Sequence, residues 1–501
     1  MLTAPLDDRR RHHGAALTRP RLDGLCAPLA LRSPLRRSVL SAAMAYLPHS
    51  DDDRRAMLEA VGVSTQRDLF ASVPSQLLEP PVELPPPLSE QELVDELTRL
   101  ASRNHAMCEL DCFLGAGVYR RFIPAVVRAT IARPEFYTAY TPYQAEASQG
   151  TLQTIFEFQS MICALTGMDV ANASLYDGAT AAAEGVLLAA TQTRRSRVLV
   201  ASTVHPETLR VLRTYGEGRG VQIDVVDAPD GLLDAQAVRN ALTADHAALL
   251  VAQPSFVGTV ADLAPLAGVA HDAGALLVAS IDPMAQSVLV PAGAQGVDVA
   301  VGEAQQLGIA ASFGGPHCGF MAVTQALMRR IPGRLVGMTV DHSGRRAYTL
   351  TLQTREQHIR RENATSNICT NHALMALAAT AYMARMGAAG MRKTVEVSAQ
   401  RAHHLADRLA LLPGVKLAHP SAPWLYEFAV RVPGGAEPFA HAMRERGILA
   451  GLPLARVWGE KYADTLLVCC TETTSPQAIE RYVEAAALAM ARGRAESEVA
   501  T

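Results

Sequence analysis

The chain of 501 residues has nearly balanced charge and a large apolar fraction. Its 46 basic and 49 acidic residues give a net charge of −3, which excludes a polybasic nucleic-acid coat and an acidic disordered tail. With 49% hydrophobic residues, disorder is not the default state, and the length favours about three domains. The apolar runs are too short for a membrane span, and eight cysteines without a regular framework favour a reducing cytoplasm.

Lysine is rare and confined to the last quarter of the chain. The three lysines are Lys393, Lys416 and Lys461, and all other basic residues are arginine. A GC-rich genome that prefers arginine codons explains the bias. The chemical consequence is that a reaction that needs a lysine ε-amine cannot use any residue among the first 392.

The segment 1–43 is rich in arginine and lacks sustained hydrophobic periodicity. Asp7, Asp8 and Asp23 argue against a transit peptide, and no compact apolar region precedes a small-residue cleavage site. We expect this segment to be an unstructured extension or the product of a start codon assigned too early, with Met44 as the start.

Residues 44–135 are predicted to form a helical arm. A capping box at Ser50 and Asp53 begins one helix, a Pro-rich linker over 79–88 is extended, and another capped helix begins after Ser89. An arm of this kind is better suited to wrapping another surface than to forming a core.

A different pattern starts near residue 190, where short apolar runs alternate with helical segments. The predicted strands are Arg197–Ala201, Val221–Asp227, Ala247–Ala252, Ala275–Ile281 and Val297–Val301. This alternation is typical of a parallel sheet that is buried on both faces and binds ligands at the carboxyl ends of its strands. We assign residues 136–385 to a large α/β domain.

Residues 386–501 are predicted to form a smaller α+β domain. A helix runs through Ala410, and the segments Trp424–Val432 and Thr465–Thr471 have the apolar character of strands. Pro476 is well placed as the first residue of a terminal helix.

Weak signals of a binding site follow the predicted strands. Gly178, Ala179 and Thr180 precede an Ala-rich helix, where backbone N–H groups and the helix dipole could bind an anion. His205 could stack on an aromatic cofactor, and Asp282 could pair with a pyridinium nitrogen. Tight turns and helix starts explain the same residues more often, so these positions alone do not establish a site.

A metal site is not expected. At helical spacing, His105, Cys108 and Cys112 would share one face, which is a possible arrangement of zinc ligands. A fourth ligand is not evident, and a free cysteine is usually a small buried apolar residue.

The order of these features resembles fold type I pyridoxal-phosphate enzymes. A phosphate-binding helix start, a stacking histidine, an acid after a strand and a small C-terminal domain follow one another as in that class. Such enzymes hold the cofactor as an imine on a lysine of the large domain, which this chain lacks.

Four longer stretches of sequence are far more specific than these single residues. Tyr46–Leu58, Phe113–Pro124, Tyr140–Gly150 and Arg360–Thr370 together strongly resemble the glycine decarboxylase P-protein family, more narrowly subunit 1 of its two-subunit bacterial form. The resemblance extends from Met44 to near the C-terminus, and it also supports Met44 as the start.

The resemblance implies that the two subunits share a fold and that the second subunit carries the cofactor lysine. The stretch 298–308 (DVAVGEAQQLG) places Gln306 at the lysine position, and register against the partner places Ser280 at the position of the pyridinium acid. Since an amide cannot form an imine, we expect no covalently held cofactor, with Gly178–Thr180 and His205 as relics of a cofactor site.

The resemblance further implies a reaction that belongs to an assembly. With pyridoxal 5'-phosphate held by the partner subunit, glycine is decarboxylated and its aminomethyl group passes to the lipoyl group of the H-protein. The family implies an α2β2 assembly in the bacterial cytoplasm, without nucleic-acid or membrane partners, and this chain is not expected to be active alone.

The segment after the arm is the candidate contribution to the partner's site. We expect Tyr140, Tyr143 and Gln144 to reach the partner's glycine or phosphate; the equally open alternative is that they only pack the subunit interface. Arg360 and Arg361 suit interface salt bridges better than ligand binding. The alternative for the whole chain is a purely structural or regulatory scaffold, and the missing lysine argues against a stand-alone enzyme.

Overall fold

A computed structural model describes residues 48–499 except Glu79, Val82 and Thr365, and the side chains of 492–499 are also not described. The predicted extension 1–43 therefore lies outside the described residues. The contacts divide the chain into two compact units with a boundary between Thr98 and Arg99. Among the described residues, no helix is both long and apolar enough to cross a bilayer.

Fourteen α-helices are described in these two units. They are α1 (Asp51–Val61), α2 (Glu90–Ala101), α3 (Ala125–Ile131), α4 (Pro134–Tyr137), α5 (Gln149–Thr166), α6 (Gly178–Thr193), α7 (Pro206–Arg219), α8 (Ala235–Ala241), α9 (Ala264–Asp272), α10 (Gln357–Arg360), α11 (Ala373–Ala410), α12 (Ala436–Arg444), α13 (Ala455–Trp458) and α14 (Pro476–Val499).

The described strands number fifteen and form four sheets. They are β1 (Asp111–Cys112), β2 (Val170–Ala171), β3 (Arg197–Ala201), β4 (Gln222–Val226), β5 (His246–Gln253), β6 (Leu276–Ile281), β7 (Val299–Glu303), β8 (Gly319–Val323), β9 (Leu335–Val340), β10 (Arg346–Thr351), β11 (Lys416–Leu417), β12 (Glu427–Arg431), β13 (Ile448–Leu449), β14 (Leu452–Pro453) and β15 (Thr465–Cys469).

The first unit contains the capped helices that the sequence predicts. Ser50 N donates to Asp53 Oδ2 (2.8 Å) and Asp53 N donates to Ser50 Oγ (3.2 Å), which confirms the capping box of α1. Ser89 and Glu92 form the same reciprocal pair before α2. Gly62, with φ 83°, ends α1 in the left-handed conformation that glycine adopts without strain.

The second unit is built on a seven-stranded sheet in the order β2-β8-β7-β6-β5-β3-β4. The strands from β4 to β7 are parallel to one another, and β8 runs antiparallel to both of its neighbours. The five predicted strands are confirmed, with ends within two residues of the observed ones. Helices α6, α7 and α9 pack against this sheet, so its strands are almost fully buried except for the edge strand β4.

The C-terminal part carries an antiparallel sheet in the order β11-β12-β15-β14, as an α+β arrangement requires. A single apolar cluster runs through both sheets and contains Val200, Leu250, Val278, Leu466 and Val468. The long helix α11 joins the two parts and has non-helical dihedral angles at Gly387 (φ 60°, ψ 177°), two residues beyond the predicted boundary at 385. The predicted domain limits themselves stay predictions.

One expectation about local structure is wrong. The helix α2 ends at Ala101, and the chain then forms turns until Cys112 lies on β1. His105, Cys108 and Cys112 therefore do not share a helical face. Apolar spacing alone could not show this, because residues 102–110 carry few apolar side chains to fix a period.

Candidate functional site

A cavity of about 350 Å³ lies at the carboxyl ends of the parallel strands. The start of α6, the residues after β3 and β6, and the residues after β7 form its walls. The loop before α3 and the first residue of β12 complete it. Among its lining residues are Tyr119, Gly178, Ala179, His205, Ser280, Asp282, Glu303, Gln306, His317 and Glu427. This is the position at which parallel sheets bind ligands.

The amino end of α6 faces the cavity, but carboxylates already occupy two of its backbone donors. Asp177 caps the helix: Thr180 N donates to Asp177 Oδ1 (2.9 Å) and Thr180 Oγ1 to Asp177 Oδ2 (2.7 Å). Gly178 N donates to Glu303 Oε2 (2.9 Å). The predicted anion-binding residues Gly178, Ala179 and Thr180 are therefore at the site, and two acidic side chains take the place of an external anion.

Glu303 is the centre of this arrangement. Besides Gly178, its other oxygen Oε1 accepts from Gln305 N (2.9 Å) and Cys318 N (2.9 Å). His317 Nδ1 lies 3.4 Å from Glu303 Oε2, and this contact raises the pKa of His317. The carboxylate thus joins the start of α6 to the loop that follows β7.

His205 lies in the wall of the cavity as the sequence predicts. Its Nδ1 accepts from Glu207 N (3.1 Å) and its Nε2 lies 3.0 Å from Ala116 O, so Nε2 carries the proton. Burial lowers the pKa of His205 and favours the neutral ring. The ring meets Phe256 edge to face, with centroids 4.7 Å apart. Its stacking on a cofactor stays a prediction.

Gln306 lines the cavity, and both ends of its side-chain amide are hydrogen-bonded within the protein. Its Oε1 accepts from Arg121 Nε (3.0 Å) and Nη2 (2.7 Å), and its Nε2 donates to Asp282 Oδ2 (2.8 Å). Tyr426 donates a short hydrogen bond to the same Asp282 oxygen. Asp282 Oδ1 accepts from the backbone of Met284 and Ala285, so neither carboxylate oxygen is free for a ligand.

Arg121 and Glu427 complete the buried polar network. Arg121 is 7% exposed and donates to Glu472 Oε2 (2.9 Å) and Ser398 Oγ (2.9 Å). Burial opposes its charge, yet Tyr426 and Glu472 raise the pKa of Arg121 above the ordinary value. Burial also raises the pKa of Glu427 to about 7, although the Ala116 amide and the Tyr119 hydroxyl bind its oxygens.

These residues do not fit pyridoxal phosphate as a resident cofactor. The cavity has no lysine, and the position predicted for it is Gln306. A phosphate at the start of α6 would meet the carboxylates of Asp177 and Glu303, which repel it. Ser280, which the resemblance places at the pyridinium position, is a neutral hydroxyl, and Asp282 is already hydrogen-bonded to Gln306.

The predicted catalytic candidates lie elsewhere in the second unit. Tyr140 and Tyr143 are 79% and 48% exposed, and Gln144 is exposed as well. Tyr140 lines a second cavity rather than the one around Gln306. The ring of Tyr143 lies edge-on to His358 (5.6 Å between centroids) and 5.6 Å from the guanidinium carbon of Arg334.

Several residues of the network were not predicted, and four of them line or close the cavity directly or through Gln306. Arg121, Glu303 and the adjacent pair Tyr426 and Glu427 come from three separate segments and meet only in the folded chain. Glu303 had one usable signal, since it ends a buried parallel strand on the side where ligands bind. For Arg121, on a loop without periodicity, the sequence offers no signal.

The sheet order with one antiparallel strand, the cavity at the strand ends and the small antiparallel domain together define the fold type I class of pyridoxal-phosphate enzymes. A sphingosine-1-phosphate lyase of Burkholderia pseudomallei shares this fold, with a TM-score of 0.61 at 16% identity over 85% of this chain and 97% of the lyase. At this identity the likeness concerns the fold alone.

Closer relatives identify the family. The family model of the glycine cleavage system P-protein matches residues 44–485, so the chain belongs to this family. A crystal structure of glycine decarboxylase (P-protein) of the glycine cleavage system, in inhibitor-bound form, matches with a TM-score of 0.81 at 45% identity, over 89% of this chain and 100% of that one.

Two curated relatives are named probable glycine dehydrogenase (decarboxylating) subunit 1. The protein from Thermomicrobium roseum is 49% identical over 88% of this chain and 99% of its own length. The protein from Desulforamulus reducens is 46% identical over 87% of this chain and 98% of its own length. Both matches cover almost the whole relative, which confirms the resemblance seen in the sequence.

Proposed function

We propose that this chain is subunit 1 of a heteromeric glycine dehydrogenase (decarboxylating). The observation that carries the proposal is the 49% identity to a relative of that name over 99% of the relative's length. In the assembly, glycine loses its carboxylate as CO2 and the aminomethyl group passes to the lipoyl group of the H-protein. The coupling to an H-protein follows from the family and is part of the proposal.

The partner subunit holds pyridoxal phosphate in this proposal. Support comes from the cavity, where Gln306 stands at the predicted lysine position and Asp177 and Glu303 occupy the anion-binding end of α6. Because the polar groups around this cavity bond to one another, we propose that the chain contributes to the reaction through another surface. Tyr140, Tyr143 and Gln144 are our candidates for that contribution, because exposed hydroxyl and amide groups can donate to a ligand on a neighbouring subunit.

Exposed apolar side chains of the arm support assembly with a partner. Leu93, Val94, Leu97 and Leu100 follow one another along α2 and are 47%, 53%, 55% and 41% exposed. Apolar residues exposed in series mark surfaces that another protein covers. We propose the partner subunit as that protein, an α2β2 stoichiometry, and the bacterial cytoplasm as the compartment of the assembly.

The decisive experiment is glycine-dependent exchange of labelled CO2 in the presence of lipoylated H-protein. It compares this chain alone, the lysine-bearing partner alone and the mixture, with the cofactor absorbance recorded in each. We expect exchange only in the mixture and an imine band that follows the partner. Exchange by this chain alone would contradict the assignment of Gln306.

A scaffold function is the second candidate. The internal hydrogen bonds of Gln306, Asp282 and Glu303 favour it, since these bonds hold the three groups within the protein. Full exchange by the partner alone would establish this alternative. Loss of exchange after a single hydroxyl is removed from Tyr143 would exclude it.

A further inference from the structure

The antiparallel ribbon of β9 and β10 shows which of its backbone groups point outward. On the β9 edge, Val336 N donates to Gln159 Oε1 (3.0 Å) and Val336 O accepts from Gln159 Nε2 (3.0 Å). On the β10 edge, Tyr348 makes the same two hydrogen bonds with Gln149, at 2.9 and 2.8 Å. Both glutamines lie on α5, and each amide takes the place of a neighbouring strand.

Further along β9, no group takes the place of a neighbouring strand. Outward N–H and C=O groups recur at every second residue of an antiparallel pair, so those of Met338 and Val340 point the same way as those of Val336. Within the part of the chain that the structure describes, the backbone groups of these two residues meet no donor or acceptor on that side. The outer half of the β9 edge is therefore open to another strand.

The side chains at this open edge are apolar and exposed. Met338 is 56% exposed and Val340 is 65% exposed. Val336, on the same face of the ribbon, is buried in a small core with Leu152 and Ile155 of α5. The ribbon thus extends its apolar face beyond the helix that covers it. An apolar edge with open backbone groups is a template for one more strand.

The charge near this edge is positive. Arg346 lies opposite Val340 on the neighbouring strand, is exposed, and pairs with no acidic side chain among the described residues. The stretch 324–355 contains six arginines and a single acidic residue, Asp341, which Arg345 already binds. An added strand that carries acidic side chains fits this edge, because opposite charges on neighbouring strands attract and like charges repel.

We propose that the open edge at Met338 and Val340 pairs with an extended, acidic segment of the partner subunit, which adds a strand to the ribbon. The ribbon adjoins the segment that we expect to reach the partner. Gln149, which binds Tyr348, directly follows the stretch that contains Tyr143. The backbone contact supplies affinity, and the exposed apolar and basic side chains select the segment that binds.

Two other strands fit this edge less well, because their charge has the wrong sign. A second copy of this chain would bring two ribbons together that each carry Arg345 and Arg346. The chain's own residues 1–43 contain eight arginines and three aspartates, so their charge also repels the ribbon. The partner subunit as the occupant rests on the proposed function, whereas the open edge itself does not.

The first test is amide hydrogen exchange of this chain with and without the partner subunit, resolved at single residues by fragmentation mass spectrometry. We expect exchange at Met338 and Val340 to slow at least about tenfold in the mixture, because their N–H groups gain acceptors. Arg346 is the internal comparison. By the same alternation its N–H points out of the β10 edge, and its exchange should not change.

Met338→Pro tests the backbone contact itself. Proline removes an outward N–H and leaves the bonds between β9 and β10 in place, so urea unfolding of the chain alone should not change. We expect the dissociation constant of the assembly, measured by sedimentation, to rise at least about tenfold. A Met338→Pro chain that assembles as tightly as the unaltered chain would overturn the proposal.

The matched controls for this variant are Arg346→Pro and Arg346→Gln. Both remove the charge, and only the proline also removes an outward N–H, which lies on the β10 edge. We expect the two variants to assemble with equal dissociation constants, a few-fold above that of the unaltered chain. If Arg346→Pro is much weaker than Arg346→Gln, the partner strand pairs with β10 and the proposal is wrong.

The outcomes also separate this proposal from the proposed function. CO2 exchange by a mixture in which Met338 and Val340 exchange as fast as before would overturn the strand pairing and leave the function in place. Slowing that needs only a higher concentration of this chain would identify a second copy as the occupant. Slow exchange in the chain alone, lost when residues 1–43 are removed, would identify its own extension. A mixture that does not assemble would contradict both proposals.

Discussion

The Nε2 group of Gln306 donates to Asp282 Oδ2 at 2.8 Å. This contact joins the residue at the predicted lysine position to the acid that follows β6. Arg121 donates twice to the oxygen of the same amide, so Gln306 bridges a cation and an anion. This bridge needs a neutral side chain that has both a donor and an acceptor. Gln306, at the predicted lysine position, is thus a structural link between Arg121 and Asp282.

Restoring a lysine at this position should not restore cofactor binding. In Gln306→Lys, Arg121 loses its acceptor and faces a second cation, while Glu303 still occupies the start of α6. We expect no imine absorbance after addition of pyridoxal phosphate and a loss of about 1–3 kcal/mol in the free energy of unfolding. Absorbance spectra and urea titration measure the two effects.

A double variant provides the comparison for that experiment. Gln306→Lys combined with Glu303→Gly also frees the amide of Gly178, so an anion can approach the helix start. Reduction with borohydride should leave cofactor on neither the single variant nor the unaltered chain. If Gln306→Lys alone retains cofactor after reduction, the Glu303 carboxylate at the start of α6 does not prevent cofactor binding.

Arg121 should be among the most important polar residues for stability. Arg121→Met removes the cation that pairs with the partly buried Glu472 carboxylate and the donor that binds the Gln306 oxygen. Breaking a buried ion pair from one side costs about 3–5 kcal/mol, so we expect a loss of that size in urea titration. The control is Arg481→Gln, which breaks an exposed ion pair with Asp111. Its free energy of unfolding should change by no more than about 1 kcal/mol.

The fold was predictable because its central strands are buried apolar runs. Arg197–Ala201 matches β3 at both ends, and the capping boxes at Ser50 and Ser89 involve neighbours in sequence. Local signals of this kind depend on residues a few positions apart. The stretch around His105 lacked such a signal, and its predicted helical face was wrong.

The site was predictable only in part, for a physical reason. Gly178 and His205 follow predicted strand ends, so their place at the cavity follows from topology. The partners of Gln306 lie far from it in sequence, and Arg121, for example, lies 185 positions away along the chain. No local pattern reports such a pairing. The proposed roles of Tyr140, Tyr143 and Gln144 stay predictions.

Glu427 should make stability depend on pH. Burial raises its pKa from 4.5 to about 7, so between these values the folded chain binds a proton that the unfolded chain has released. The free energy of unfolding therefore falls as pH rises through this window, by about 3 kcal/mol at most. Urea titrations across the window should show this fall, and Glu427→Gln should reduce it.

The exposed Glu437 provides a control for the pH dependence that we assign to Glu427. Glu437 pairs with Arg456 at the surface, and this contact lowers its pKa. Glu437→Gln should leave the fall between pH 4.5 and 7 in place. If Glu427→Gln keeps the same slope as the unaltered chain, Glu427 does not titrate in the folded state near pH 7.

A substitution at Tyr143 should distinguish a catalytic contribution of this residue from simple packing at the subunit interface. Tyr143→Phe keeps the ring that meets His358 and Arg334 and removes the half-exposed hydroxyl. If this hydroxyl donates to the partner's substrate, CO2 exchange by the assembly falls by about tenfold to a hundredfold, as for other single donors. Gel filtration of the mixture and the unfolding midpoint should stay unchanged, since the ring contacts persist.

The matched control for this last experiment is Tyr137→Phe. Tyr137 ends α4 and is 68% exposed, so it loses a comparable hydroxyl just before the candidate segment. We expect exchange in this variant to equal that of the unaltered assembly. Equal exchange in Tyr143→Phe as well would assign the segment to interface packing, because a hydroxyl that touches the reacting molecule cannot be removed without affecting the rate.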